Sequence, residues 1–287
     1  MPDLNKSIFE NAKSMPLVCA HRGSASGNIP CNTLAAFGAA LMQGADMIEL
    51  DVAVSADGKH YVFHPGMERA YLKIRSLIRL LPSKKVDKLR LYNPDGTKTQ
   101  YGVNTLAEAF EFLRGRCYIN VDKFWTDVPG ISRAIRESGV EKQVVVKTGT
   151  SARELREVRE HASDFMFMPI VRSADDVTDL LAAEGVNCIG AEVLFKTLDE
   201  PCCSPAYIEE MHKKGRILFA NAEVYDHKAV ISAGLTDDAS VTQGPEAGWG
   251  KLADLGFDVI QTDWPGLLKN YLLSRVPSSG KAGAPNI

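Results

Sequence analysis

The sequence predicts an α/β fold, a TIM-type (β/α)8 barrel with a β-hairpin and a small, basic helical insertion. Short apolar runs alternate with amphipathic segments along most of the chain. Most amphipathic segments close on a glycine before the next run begins, and the repeated strand–helix–strand order argues a parallel sheet with right-handed crossovers. No G-x-G-x-x-G follows the first run, which disfavours a doubly wound open sheet.

The runs are "PLVCA", "DMIELDVAV", "YVFH", "CYINVD", "QVVVK", "FMFMPIV", "IGAEVLF", "RILFAN" and "VIQTD". "YVFH" follows its predecessor too closely for a crossover helix and must pair with it as a hairpin. The other eight supply a barrel. Between them, "NTLAAFGAALMQG" places Leu34, Phe37 and Leu41 on one face and ends at Gly44. "SARELREVREH" opens with a Ser151–Glu154 capping box, and "SADDVTDLLAAEG" runs from Ser173 to Gly185. "SPAYIEEMHKKG" has Ser204 as N-cap, Pro205 at the first helical position and Gly215 beyond. Residues 1–275 therefore read as one barrel domain, with an insertion at about 68–101, and 276–287, rich in Pro, Gly and Ser, as a disordered tail.

The 287 residues are 45% apolar and 24% charged with net charge −3, which excludes a global nucleic-acid footprint. No apolar run reaches the roughly 18 residues of a membrane span. The N-terminal stretch lacks a long apolar core, and the six cysteines lack zinc spacing. Both point to a cytoplasmic protein with reduced thiols. Charge is uneven: Arg69 to Lys98 holds nine Lys/Arg and two Asp, a local +7 that leaves −10 elsewhere. Its centre, "YLKIRSLIRLLP", reads as a helical insertion, either a lid-like excursion packed on the barrel or a basic amphipathic surface meeting anionic lipid or substrate.

"IELDV" puts Glu49 and Asp51 on one face of an apolar strand. Two acids there need a cation between them, and oxygen-only ligands suit Mg²⁺ or Ca²⁺. Asp57-Gly58, read as a two-residue turn, sets Ala56 opposite Lys59 and Asp51 opposite His64. That register brings His64 to the acid face and leaves His60 opposite Ser55. Asp122 and Lys123 end the "CYINVD" strand at the same barrel mouth, a third ligand and a cation. Lys147, Glu192, Asn221 and Glu223, and the Thr262-Asp263 strand end, are further polar groups near that mouth. His21 and Arg22 end the first strand. Two histidines able to serve as general acid and base, with a metal, Arg and Lys for a phosphate, are the parts phosphoester cleavage uses.

"AHRGSASGNIPCNTLAAF", "IELDV…DGKHYVFHP", "INVDK" and "GFDVIQTDWP" together resemble the glycerophosphodiester phosphodiesterase family, in its order, from about Leu17 to Leu273. The resemblance implies a TIM barrel with a small insertion after the hairpin. It implies hydrolysis of small-molecule glycerophosphodiesters to sn-glycerol 3-phosphate and an alcohol. It also implies a divalent ion on Glu49, Asp51 and Asp122, His21 and His64 as the acid/base pair, Arg22 on the phosphate and Lys123 as a further phosphate contact. Three departures stand out. Pro30-Cys31-Asn32-Thr33 has Cys31 where the family has an acid, His64-Pro65 replaces His-Asp, and Asn120-Val121-Asp122-Lys123 shortens the acid and shifts the lysine of Glu-x-Lys. These suggest a divergent branch. The competing readings are a lysophospholipase D or phospholipase C-like lipid hydrolase with the insertion facing a membrane, and a non-catalytic phosphoryl-binding barrel.

Overall fold

The computed structural model describes residues 2–172, 185–224 and 226–276. Its ten strands are β1 (Leu17–Ala20), β2 (Met47–Val54), β3 (His60–Val62), β4 (Tyr118–Asp122), β5 (Val144–Val146), β6 (Met166–Phe167), β7 (Ile170–Arg172), β8 (Gly190–Leu194), β9 (Ile217–Asn221) and β10 (Val259–Thr262). All neighbours pair in parallel in the order β6-β5-β4-β2-β1-β10-β9-β8-β7, except β3, which hangs antiparallel on β2. β6 and β7 are halves of one strand broken at Met168-Pro169, where proline has no N–H to give a ladder. On one side Met168 and Ile170 donate to Val146 and Thr148; on the other, Ile189 and Glu192 donate to Phe167 and Pro169. That segment thus joins both ends of the sheet, and the eight positions close into the expected barrel.

The helices form where their caps are written. Thr33 caps Leu34–Met42, Ser151 and Glu154 make the capping box of Ala152–His161, and Ser204 caps Pro205–Lys213. The helix expected over Ser173–Gly185 and the tail 277–287 lie outside the described residues.

One expectation needs correction. The hairpin register is Val52↔Val62, Ala53↔Tyr61 and Val54↔His60, one residue off the expected pairing. Asp57-Gly58 does not form a two-residue loop. Ser55 N–H instead donates to the Lys59 carbonyl across a three-residue connection, with Gly58 at φ 82 in the left-handed position that ends such loops. Asp51 therefore lies opposite Phe63, whose N–H donates to its carbonyl, and His60 opposite Val54. The insertion is helical, as expected, but in short pieces. It breaks into helix Glu68–Tyr71, a 3₁₀ turn at Ile78–Leu80 and helix Ser83–Val86. Buried Glu68 accepts the N–H groups of both Gly66 and Ile78 and so folds the chain back on itself. Leu72, Ile78, Val86 and Leu91 then pack with Ala53, Tyr61 and Phe63 into a separate small core on the hairpin.

Strand parity decides what fills the barrel. Cys19, Met47, Tyr118, Val145, Phe219 and Val259 pack inside it, plugged below by Ile8 and Ala12 of the N-terminal helix Ile8–Ala12. The same strand faces, further toward the carboxyl ends, carry Glu49, Asp51, Asn120, Asp122, Lys147, Asn221 and Gln261. All of these are buried except half-buried Asp122. The interior therefore changes from apolar to polar at the mouth, where barrels of this architecture carry their chemistry.

Candidate active site

His21 follows β1 directly, and the next residue, Arg22, has φ 56. At Gly23 (φ 80) a Cβ would stand 2.7 Å from the Ala36 carbonyl carbon, so only glycine completes this reversal. The turn aims the Arg22 amide at Glu49 Oε2 (2.8 Å) and sets its Nε 2.8 Å from Asp51 Oδ2. Asn32, also at φ 56, donates Nδ2–H to the same Asp51 oxygen at 2.8 Å and its backbone N–H to the Arg22 carbonyl. Sequence reading took Asn32 only as part of the helix start.

His64 reaches Asp51 by a different route from the one expected. β3 stops at Val62 and the chain turns at Pro65-Gly66, which leaves His64 free of the ladder with Nε2 3.9 Å from Asp51 Oδ1. Lys123 answers the shifted family lysine. Its left-handed backbone (φ 59) turns Nζ back to Asp122 Oδ2 at 2.7 Å, 3.9 Å from Asp51 Oδ1. Arg22, Asn32 and Lys123 are three of the five described non-glycine residues with positive φ. Strain worth about 1–2 kcal/mol each is thus concentrated around one carboxylate.

The remaining candidates form a second network. Lys147 Nζ bonds Glu192 Oε2 at 2.7 Å and lies 3.8 Å from Asp122 Oδ1. Asn221 Nδ2 donates to Glu192 Oε1 at 2.8 Å, and Gln261 Nε2 donates to both Asn221 Oδ1 (3.1 Å) and Glu223 Oε1 (2.9 Å). On the other side of His21, Nδ1 meets Asp263 Oδ1 at 2.9 Å. Asp237, absent from the sequence reading, accepts the Asp263 amide, the Thr262 hydroxyl and the Trp249 indole N–H. It was invisible because "TDDAS" reads as an ordinary helix start; only the fold brings it beneath β10. A cleft of about 580 Å³ opens beside these groups, lined among others by His21, Arg22, Cys31, Tyr71, Asp263 and Trp264.

The titration behaviour follows from these contacts. Burial works against charge on His21, but the Asp263 hydrogen bond and the nearby Glu223 and Glu49 raise its pKa to about 9. Burial lowers His64, with Asp51 opposing. Burial and the neighbouring Asp51 charge hold Glu49 well above the usual carboxylate range. Burial opposes ionisation of Asp122, yet Lys147 and Lys123 keep it well below that range. Burial pushes the Cys31 thiol up to about 11 against the pull of Arg22, so the position that holds an acid in the family is neutral here.

A metal fits this donor set. Glu49, Asp51 and Asp122 offer oxygens within 4.8 Å of one another. Asp51 Oδ1 and Asp122 Oδ1 are buried without a hydrogen-bond partner, although the other oxygen of each is engaged. Oxygen-only donors with two unfilled lone-pair sites suit a hard divalent cation.

Comparison with known proteins agrees with this geometry. Residues 21–266 match the model of the "Glycerophosphoryl diester phosphodiesterase family". A glycerophosphodiester phosphodiesterase of Caldanaerobacter subterraneus is 31% identical over 155 residues, which are 50% of this chain and 63% of that protein. The match thus spans less than two thirds of that relative's length. A crystal structure of a glycerophosphoryl diester phosphodiesterase from Parabacteroides distasonis superposes with TM-score 0.74 at 20% identity, covering 96% of this chain and 95% of that one. The structure of an Oleispira antarctica phosphodiesterase in complex with the product sn-glycerol-3-phosphate superposes with TM-score 0.61 at 20% identity, covering 90% and 98%. These two share the barrel, and the family match covers most of the chain: the protein belongs to the glycerophosphoryl diester phosphodiesterase family.

Proposed function

We propose that the chain hydrolyses glycerophosphodiesters to sn-glycerol 3-phosphate and an alcohol in a reaction that requires a divalent metal. The observation that carries this reading is the buried, unpartnered Asp51 Oδ1. It shares one space with Glu49 and Asp122 and is flanked at 3.9 Å by both His64 and Lys123. The product bound to the Oleispira phosphodiesterase supports the substrate class.

Glu49, Asp51 and Asp122 would hold Mg²⁺ or Ca²⁺, which supplies Lewis-acid stabilisation of charge on the phosphoryl oxygens. Arg22 and Lys123 bind the phosphate, with Lys147, Glu192 and Asn221 shaping the pocket wall behind them. His21, paired with Asp263, favours the charged form and donates a proton to the leaving alkoxide as the phosphorus–oxygen bond breaks. His64, with no hydrogen-bonded carboxylate, accepts a proton from the water that attacks phosphorus, whose oxygen stays on the phosphate of the product. Two proton-transfer groups are more than mere phosphoryl binding requires, which argues against a non-catalytic barrel. The six free thiols, five of them buried, fit a reducing, cytoplasmic setting.

A lysolipid version of the same reaction is favoured by the apolar share of the cleft, where Met67, Trp264 and Leu267 stand beside the polar groups. The test is a panel of glycerophosphodiesters and lysophospholipids assayed for glycerol 3-phosphate and lysophosphatidate. Release of glycerol 3-phosphate supports the first reading and lysophosphatidate the second. Turnover of neither class contradicts both.

A further inference from the structure

We infer that the insertion between β3 and the helix Leu106–Leu113 is a docking surface for an anionic lipid bilayer. Arg69, Arg75, Arg79, Lys84, Lys85 and Lys88 are all exposed, and none is in a salt bridge among the described residues. Among the described residues none of the nearby acids bonds these six cations, and Asp57 accepts the Ser83 amide and hydroxyl. Asp87 takes Lys59 and the Tyr61 hydroxyl, and Asp95 accepts the Thr97 amide. Six uncompensated cations held on an independent small core form a built surface, with no folding step needed on contact.

Charge complementarity selects the occupant. The chain is negative overall at −3 while this segment carries +7, so an anionic surface attracts this segment and repels the chain as a whole. Leu80 stands among the cations at 62% exposed, an apolar group suited to the headgroup boundary. The insertion is also continuous with the cleft: Met67 and Tyr71, at its start, line one side. Trp264 and Leu267, 47% and 48% exposed, line the cleft as well and put an aromatic and an aliphatic group at its edge. Basic residues with apolar groups beside a cleft match a bilayer, whose headgroups meet the cations and whose acyl boundary meets the apolar groups. Docking itself does not depend on the proposed hydrolysis; its use, presentation of a lipid phosphodiester to the cleft, does.

The experiment is co-sedimentation of the full chain with phosphatidylcholine vesicles, with and without roughly a third phosphatidylglycerol. Binding is expected on the anionic vesicles alone, weakening as salt is raised. The Arg75→Gln/Arg79→Gln/Lys84→Gln/Lys85→Gln variant is expected to lose at least ~30-fold in partitioning, and Leu80→Ser a smaller factor. A His21→Ala protein, inactive on the proposed function, is expected to bind vesicles as the wild type does, which separates failure of docking from failure of hydrolysis. Equal binding to neutral vesicles, binding undiminished in the quadruple variant, or preference for duplex RNA over anionic vesicles would overturn the inference.

Discussion

The two halves of the barrel mouth hold similar numbers of polar groups but treat them differently. On the β8–β9–β10 side, Glu192, Asn221 and Gln261, with Lys147 reaching across from the end of β5, satisfy one another in a continuous chain of hydrogen bonds, with Glu223 Oε2 its one loose end. On the β1–β2–β4 side, Asp51 Oδ1, Asp122 Oδ1, His64 Nδ1 and both side-chain polar atoms of Asn120 are buried without partners. A satisfied network supports a fold, and an unsatisfied one marks where a ligand belongs. The charged mouth is thus divided into a scaffold and a working half, a division that composition alone does not reveal.

The largest effect is expected on the working half. His21→Ala and His64→Ala should each lower kcat by ~10²–10⁴-fold with an unchanged circular-dichroism melt. A variant near the wild-type rate would remove that histidine from the chemistry. On the scaffold half, Lys147→Met leaves Glu192 buried and unpaired and should cost about 3–5 kcal/mol of stability in denaturant melts. Pairing it with Glu192→Leu should recover much of the loss. If Lys147→Met were as stable as the wild type but had lost turnover, the division between the halves would be drawn in the wrong place.

Two smaller effects sharpen the contrast. The raised pKa of His21 means its proton is held up to about pH 9. If His21 is the acid, activity should fall on the alkaline side as pH passes that value. His21 also contributes stability that is full below its ordinary value of 6.5 and lost as pH rises through about 9. Asp263→Asn removes the carboxylate that raises it and should move the alkaline limb of the rate profile to lower pH; an unmoved limb would assign it to another group. Glu49→Gln should make the metal-free protein slightly more stable, because burial and the Asp51 charge penalise the ionised form of a carboxyl there, while weakening metal binding. A drop in the melting temperature of the metal-free protein would mean that Glu49 is already compensated by Arg22.

The barrel was legible because each apolar run and each cap is a local signal, and the strands formed where those runs stand. Glu49, Asp51 and Asp122 were legible for the same reason, since strand parity sets which way they point. His64 was found through a register one residue wrong, because Asp57-Gly58 fits two turn types and only the packing of the insertion on the hairpin chooses between them. The insertion was legible as helical, but its division into short pieces was not, because Glu68 accepts one backbone donor close beside it and another ten residues along the chain. Asn32, Asp263 and Asp237 act through partners distant in sequence, Asp51, His21 and the end of β10, and no local pattern reports such contacts.

The most direct measurement is a calorimetric titration of EDTA-treated protein with Mg²⁺ and with Ca²⁺, wild type beside Asp51→Asn. One saturable site in the wild type that is strongly weakened in the variant is expected if the unfilled oxygens of Asp51 and Asp122 hold the ion. No binding in the wild type, or equal binding in both proteins, would contradict it.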